Sequence, residues 1–257
     1  MNQALAPEPA RPFRLPAIGW LRACFRIAAM LLLFVACLPL FYLARPFTRH
    51  NPLPRLFLGG IGWLAGVDIR VTGERVHRGA FLLANHVSWI DIVAISAVTG
   101  TAFVGHDGLA SMPLLKWLCA MNDTVFVARH DRASIHQQVE DVRAAIRDTG
   151  ALTIFPEGTT SDGTGLLPFK SSLLSALDPL PAGIAVQPVL LDFRPEAATI
   201  AWVGEEHGLH NFLRILARAR PVVLTVHFLP PLAGEALASR KTIAAAARKV
   251  MAQALSS

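Results

Sequence analysis

Eighteen consecutive uncharged residues, 27–44, lie between Arg26 and Arg45, and this run constrains the chain more than any other feature. As a helix it would extend about 27 Å at 1.5 Å per residue, marginal for a hydrocarbon core of about 30 Å. Pro39 falls inside it and predicts a kink. A second apolar run, 56–67, is too short to span and carries Gly59, Gly60, Gly62 and Gly66. Three readings follow: a single transmembrane helix, a pair of interfacial helices that enters one leaflet and returns, or a cleaved signal peptide. Arginine on both sides of the first run assigns no orientation and favours the interfacial pair. The long basic lead-in and the lack of a small-x-small site after the run count against a signal peptide. Phe34-Val35-Ala36-Cys37 is a poor lipoprotein box because of its first residue.

Charge follows the same division. Residues 1–55 hold seven arginines and one acid, Glu8, a net of +6, whereas the remainder holds 17 basic and 17 acidic side chains. The basic character therefore belongs to the apolar N-terminal segment, which suits anionic lipid headgroups. Nucleic-acid binding would place a basic stripe and stacking aromatics on the folded domain, and no such stripe exists. Charged residues make up 16% of the chain against about a quarter in an average soluble protein, and hydrophobic residues 53%, so a substantial core is available. Cys24, Cys37 and Cys119 have neither metal-ligand spacing nor a disulfide pattern, which fits a reducing compartment.

Residues 1–16 read as a disordered tail, 17–67 as membrane-anchoring helices and 68–257 as one folded domain. Within that domain short apolar runs alternate with polar, helix-like segments. Strands are expected at 68–72, 80–84, 101–105, 124–128, 151–155, 184–193, 199–203 and 221–228. Ser134 and Gln137 read as a capping box for a helix carrying Ile135, Val139, Val142 and Ile146, with Gly150 as its stop. Further helices are expected at 211–219 and 242–255. The alternation implies an α/β fold: a mixed, largely parallel sheet flanked by helices, with the N-terminal apolar helical segment as membrane anchor.

The chemistry gathers in a few stretches. In Asn85-His86-Val87-Ser88-Trp89-Ile90-Asp91 a histidine sits just past an expected strand end, where ligand sites of α/β folds collect. On a regular helix the five-residue separation turns His86 and Asp91 about 140° apart. They meet only if His86 precedes a helix whose first turn holds Asp91, and Ser88 can cap a helix starting at Trp89. The carboxylate would then bond one imidazole nitrogen and leave the other as a base. Ser88 and Asp91 also form a capping box with no chemistry implied. In Phe155-Pro156-Glu157-Gly158-Thr159-Thr160-Ser161, Gly158 permits close backbone approach, and free N–H groups there can hold an oxyanion. The plain alternative is a strand-ending turn with an exposed glutamate. Lys170 adds a cation near that loop, and Arg129, at the end of Val125-Phe126-Val127-Ala128-Arg129, can clamp a phosphate.

Taken in order, the stretches 85–91, 126–129, 155–160 and 186–189 resemble the glycerolipid acyltransferase family that acylates lysophosphatidic acid. That family shows Asn-His-x4-Asp, Phe-x-x-Arg, Phe-Pro-Glu-Gly-Thr and a Val-Pro-Val-like strand. The resemblance covers roughly residues 70–230. It implies a membrane-associated enzyme moving a fatty acyl group from acyl-CoA or acyl-carrier protein to a lysolipid hydroxyl, with 1-acyl-sn-glycerol-3-phosphate as the first expected acceptor. It implies His86 as general base, Asp91 as its orienting partner, and N–H groups near Gly158 for the oxyanion. Asn85, Ser88, Arg129, Glu157, Gly158, Thr159 and Lys170 become the expected substrate-binding residues. No metal or cofactor is implied beyond the thioester co-substrate. Membrane lipids are the expected partners, no nucleic acid, and the location is a bacterial inner membrane with the domain on its cytoplasmic side.

One position departs from the family. Where a lysine is usual, Phe103-Val104-Gly105-His106-Asp107 places His106. That weakens a positive headgroup site. Leu166-Leu167-Pro168-Phe169-Lys170-Ser171 and Ala201-Trp202-Val203-Gly204 also resemble bacterial members acting on lyso-ornithine lipid, so both acceptors stay open. Ester or thioester hydrolysis by the same pair, and a catalytically silent membrane-binding protein, are the competing readings.

Overall fold

The computed structural model describes residues 15–48, 51–106, 113–127 and 135–256. The expected tail is therefore almost wholly outside the described residues, as are Asp107, Arg129 and Ser134.

Two helices lead the chain, α1 (Ala17–Ala44) and α2 (Leu53–Ala65). The domain continues as β1 (Val67–Thr72), β2 (Ala80–Ala84), α3 (Ile90–Thr99), β3 (Ala102–His106), α4 (Pro113–Met121), β4 (Val125–Val127), α5 (Ile135–Thr149) and β5 (Ala151–Ile154). A 3-10 segment (Ser171–Leu177) precedes β6 (Ala185–Asp192). Then come α6 (Ala197–Ile200), α7 (Gly208–Leu216), β7 (Val222–Phe228) and α8 (Arg240–Ser256). The seven strands form one sheet in the order β1-β7-β6-β2-β5-β3-β4. Every neighbouring pair is parallel except β6 and β7, so β1 and β7 run against the other five. The sheet is mixed and largely parallel, flanked by helices, as the sequence predicts.

β2 lies at the centre, and all five of its residues are buried. Leu82 and Ala84 pack on one face with Ile90, Ala94, Ile215 and Val226. Phe81 and Leu83 pack on the other with Val142, Ile146, Leu174, Ile243 and Ala247. A strand covered by helices on both sides must be apolar at both parities, which is why 80–84 carries no polar residue.

The glycines of the second apolar run find their reason in packing. A Cβ on Gly60 would lie 2.6 Å from Leu33 Cδ2 of α1, and one on Gly62 would lie 3.0 Å from Val93 Cγ1 of α3. The absent side chains thin α2 so that it wedges between α1 and α3. α1 runs through Pro39 without interruption. It lies antiparallel to α2: Arg26 reaches Gly66, and Phe34 packs on Phe57 at 5.8 Å between ring centroids. Its start rests on α7, where Arg26 Nη1 donates to Leu216 O at 2.8 Å. The opposite side of the pair is apolar and bare, with Phe25 72%, Leu32 71% and Trp63 78% exposed. α1 is long and apolar enough to cross a membrane, yet it is attached to the domain at several points along its length.

Two expectations about elements change. Residues 199–203 form no strand; they hold the end of α6 and a loop in which the Trp202 N–H donates to Val87 O at 2.9 Å. β6 is already paired on both edges, by β7 and β2, so the segment after it has no sheet edge to join. The helix α4 was not anticipated; it is short and opens on Pro113, whose fixed φ and missing N–H suit a first turn. At the end of α5, Gly150 has φ +83° and its N–H bonds Ile146 O at 2.8 Å, as expected of a helix stop.

The wedge yields a test. Replacing Gly62 by Leu forces α2 away from α3 and is expected to destabilise the protein by about 1–3 kcal/mol in thermal unfolding. Gly165→Ala, where nothing lies within 4 Å of the new carbon, is expected to stay within about 0.5 kcal/mol. Equal midpoints for the two variants would refute the wedge.

Candidate active site

Parallel strands β2, β5 and β6 end along one edge of the sheet, and the first and third sequence stretches leave from there. Asn85 follows β2 directly and is buried. Its Nδ2 donates to Leu191 O at 3.0 Å, and Leu191 N donates to its Oδ1 at 2.7 Å. The side chain copies a peptide unit and adds one more pairing with β6, so the main chain turns away at His86. Both ends of the Asn85 amide are thereby engaged within the fold.

His86 precedes α3, and Asp91 lies in its first turn. The side chains meet: His86 Nδ1 is 2.8 Å from Asp91 Oδ2. The same oxygen accepts the N–H of Val87 at 2.6 Å and of Ser88 at 2.8 Å. An oxygen that already accepts two N–H groups is best met by a donor, so the arrangement suits the tautomer with the proton on Nδ1 and the lone pair on Nε2. The imidazole lies against Phe155, with centroids 4.2 Å apart and planes 18° from parallel. Its side chain is 18% exposed and Asp91 wholly buried, so the ring alone faces solvent.

The expected hydroxyl cap at Ser88 is not formed. The N-cap is Trp89, one residue later, and the Ser88 hydroxyl is buried without a hydrogen-bond partner. Asp91 instead reaches back to the Ser88 N–H, which is the acidic half of a capping box.

The third stretch folds under the His86 turn. Ser161 gives two bonds to His86 O, from its N–H at 2.7 Å and its hydroxyl at 3.1 Å. The Thr160 hydroxyl donates to Trp202 O. Glu157 is 1% exposed, which removes the reading of an exposed turn glutamate. Neither of its carboxyl oxygens has a hydrogen-bond partner among the described residues. Burial pushes its carboxyl up to about 8, and the charge of Asp91 pushes the same way. The His86 N–H, the Ser161 hydroxyl and the Leu167 N–H lie close enough to pull weakly in the other direction.

Gly158 adopts φ +69°, a left-handed conformation that favours glycine. A Cβ there would lie 3.2 Å from the Lys170 ammonium. Its own N–H closes a turn onto Phe155 O at 3.1 Å. The N–H groups of Thr159 and Thr160, next to it, make no backbone hydrogen bond among the described residues. Gly158, Thr159 and Lys170 are exposed, and the Lys170 N–H holds Pro156 O at 2.8 Å.

The structure thus gathers His86, Asp91, Ser88, Glu157, Gly158, Thr159 and Lys170 at one edge. It gives Asn85 to the sheet. Arg129 lies outside the described residues. Ser161, Phe155 and the Trp202 backbone are the contributors that sequence reasoning missed. Ser161 carried a signal, since hydroxyl residues in turns bond nearby backbone groups. Among the described residues no three His, Cys, Asp or Glu side chains are grouped to hold a metal ion.

The chain is similar to several known proteins. The family model described as Acyltransferase matches residues 68–192. A lyso-ornithine lipid O-acyltransferase of Rhodobacter capsulatus is 32% identical over 257 residues, covering 93% of this chain and 91% of that protein. A 1-acyl-sn-glycerol-3-phosphate acyltransferase of Neisseria gonorrhoeae is 37% identical over 142 residues, covering 53% of this chain and 54% of that protein. The crystal structure of the 1-acyl-sn-glycerophosphate (LPA) acyltransferase PlsC from Thermotoga maritima shares the fold, with TM-score 0.65 at 20% identity over 93% of this chain and 95% of that one.

The buried glutamate predicts a pH dependence of stability. Between the ordinary value of 4.5 and about 8 the unfolded carboxyl has lost its proton while the folded one keeps it. Unfolding therefore releases a proton, and stability falls as pH rises across this window, by up to about 1.4 kcal/mol per pH unit. Above the window both states are ionised and the slope ends. Thermal midpoints measured at several pH values should show this fall in the wild type and a smaller one in Glu157→Gln. Parallel curves for the two proteins would refute it.

Proposed function

The chain belongs to the acyltransferase family, and from that premise we propose that it transfers a fatty acyl group from a thioester donor to the hydroxyl of lyso-ornithine lipid. The observation that carries this reading is the 2.8 Å contact between His86 Nδ1 and Asp91 Oδ2, which leaves Nε2 as a base at the open edge of the sheet.

The steps follow from the positions. Nε2 takes the proton of the acceptor hydroxyl as its oxygen attacks the thioester carbonyl. The imidazolium is stabilised by Asp91. The N–H groups of Thr159 and Thr160 are the donors available for the oxyanion. Collapse breaks the carbon–sulfur bond, and the departing thiolate takes the proton back from Nε2. Acyl-CoA or acyl-carrier protein serves as donor, and no acyl-enzyme or cofactor is required. The exposed Thr159 and Lys170 would line the side from which the acceptor enters.

The choice of acceptor rests on which relatives align along the whole chain. The lyso-ornithine lipid O-acyltransferases of Rhodobacter capsulatus and Brucella abortus cover 93% and 88% of it. The 1-acylglycerol-3-phosphate relative covers 53%. His106, where a lysine would favour a phosphate, points the same way. 1-Acyl-sn-glycerol-3-phosphate therefore moves from first to second acceptor.

Membrane association is part of this reading. The bare apolar side of the α1–α2 pair suits one leaflet, and its attachment to α3 and α7 favours the interfacial pair over a spanning helix. The catalytic domain would then sit on the cytoplasmic side of the inner membrane, within reach of thioester donors. The free Cys24, Cys37 and Cys119 are compatible with that compartment.

The deciding experiment is acyl transfer by His86→Ala in vesicles containing lyso-ornithine lipid or 1-acyl-sn-glycerol-3-phosphate. The rate is expected to fall by about 10²–10⁴-fold with vesicle binding unchanged. Undiminished transfer would remove His86 as the base. Free fatty acid without acylated lipid from the wild type would replace transfer by hydrolysis. Faster turnover of the phosphate acceptor would reverse the order of the two lipids.

A further inference from the structure

Four polar atoms around the catalytic pair are buried without a partner among the described residues: Ser88 Oγ, Asp91 Oδ1 and both Glu157 oxygens. Glu157 and Asp91 are close enough for the charge of one to act on the other. Three donors converge on Asp91 Oδ2. No such set meets Glu157, and no ion-pair partner reaches it among the described residues. The three close donors go to Asp91, while burial and the charge of Asp91 outweigh the weaker donors near Glu157 and hold the proton there.

We propose that Glu157 is a positioning residue, a carboxylic acid held neutral beside Asp91, and that it does not contact the acceptor headgroup. The proposal rests on the reading of His86 and Asp91 given above. Its proton confines the negative charge of the site to Asp91, where it supports the imidazole. It also keeps charge away from the neighbouring 158–160 loop. An ionised Glu157 would oppose an oxyanion forming on the N–H groups of Thr159 and Thr160, and a neutral one leaves those donors at full effect. The groups that face it agree: Ser161, the His86 N–H and the Leu167 N–H are neutral, and Asp91 is the one charge acting on it among the described residues. A group 1% exposed is also badly placed to meet a headgroup arriving from the membrane.

The order of two substitutions tests this. Glu157→Gln keeps length, neutrality and a donor. It is expected to hold kcat within about tenfold and acceptor KM within about twofold of wild type. Glu157→Asp keeps the acid but withdraws it and ionises more readily. It is expected to lose at least about 10²-fold in kcat at unchanged KM. A carboxylate that binds a cationic headgroup requires the reverse: Asp better than Gln, and a raised acceptor KM in Gln. That outcome overturns the proposal. Infrared difference spectroscopy of the full-length protein adds a readout that folding alone does not move. A protonated-carboxyl carbonyl band is expected at neutral pH in the wild type and not in Glu157→Gln, and its absence from the wild type overturns the proposal even if Glu157→Asp fails to fold. His86→Ala separates the two levels. If that variant stays active, the base assignment fails; if it is inactive while Asp outperforms Gln, only the role of Glu157 fails.

Discussion

Asp91 Oδ2 is the point on which the site depends. One buried oxygen accepts from the His86 ring, the Val87 N–H and the Ser88 N–H. Two of these bonds shape the turn and the third orients the base, so backbone and chemistry share a single atom. Other loops are attached to the same turn. Ser161 binds His86 O, the Trp202 N–H binds Val87 O, and the Thr160 hydroxyl binds Trp202 O. These bonds close a ring from the His86 turn through Trp202 and the 155–161 loop back to His86. A displacement anywhere in the ring moves the imidazole, and a misplacement of about 1 Å can cost a hundredfold in rate.

The ring is continuous with the bare apolar helix pair. α3 carries Asp91 at its start and meets α2 along the glycine face. Trp89, at the N-cap of α3, packs on Phe212 of α7 at 5.2 Å between ring centroids, and α7 receives Arg26 from α1. The elements that suit a membrane surface therefore touch those that hold the base. If the pair lies in one leaflet as proposed, its backbone-close packing on α3 would fix the height of the catalytic edge above that leaflet, which a flexible tether would not do.

Much of this was legible in the residues. Apolar runs bounded by turn residues located the strands within a residue or two, because burial on both faces admits little else at 80–84 and 151–154. The His86–Asp91 contact was readable because five-residue spacing closes only around a helix start. Other features were hidden for physical reasons. The element at 199–203 depended on whether β6 had a free edge, a property of the whole sheet. Ser88 reads as a cap in one dimension, yet a helix starting one residue later removes that role. Asn85 reads as a polar group beside a catalytic histidine, while its amide in fact extends the β2–β6 pairing. Burial of Glu157 could not be read from a turn sequence, since the loop at 166–167 that helps cover it comes later in the chain.

The division between fixed and open groups suits a one-step transfer. Much of what sets the orientation of His86 is buried: Asp91, Ser161, Val87 and the Asn85 amide. The groups proposed to meet substrate are more open: the His86 ring is partly exposed, and Gly158, Thr159 and Lys170 are exposed. In the proposed transfer without an acyl-enzyme, both substrates would occupy the site together, so the acceptor oxygen, the thioester carbon and the oxyanion donors would have to converge at once. That demands a rigid base and an accessible donor loop a few residues away. The neutral Glu157 joins them: its side chain lies buried against the His86 turn, and the next two residues carry the loop into solvent.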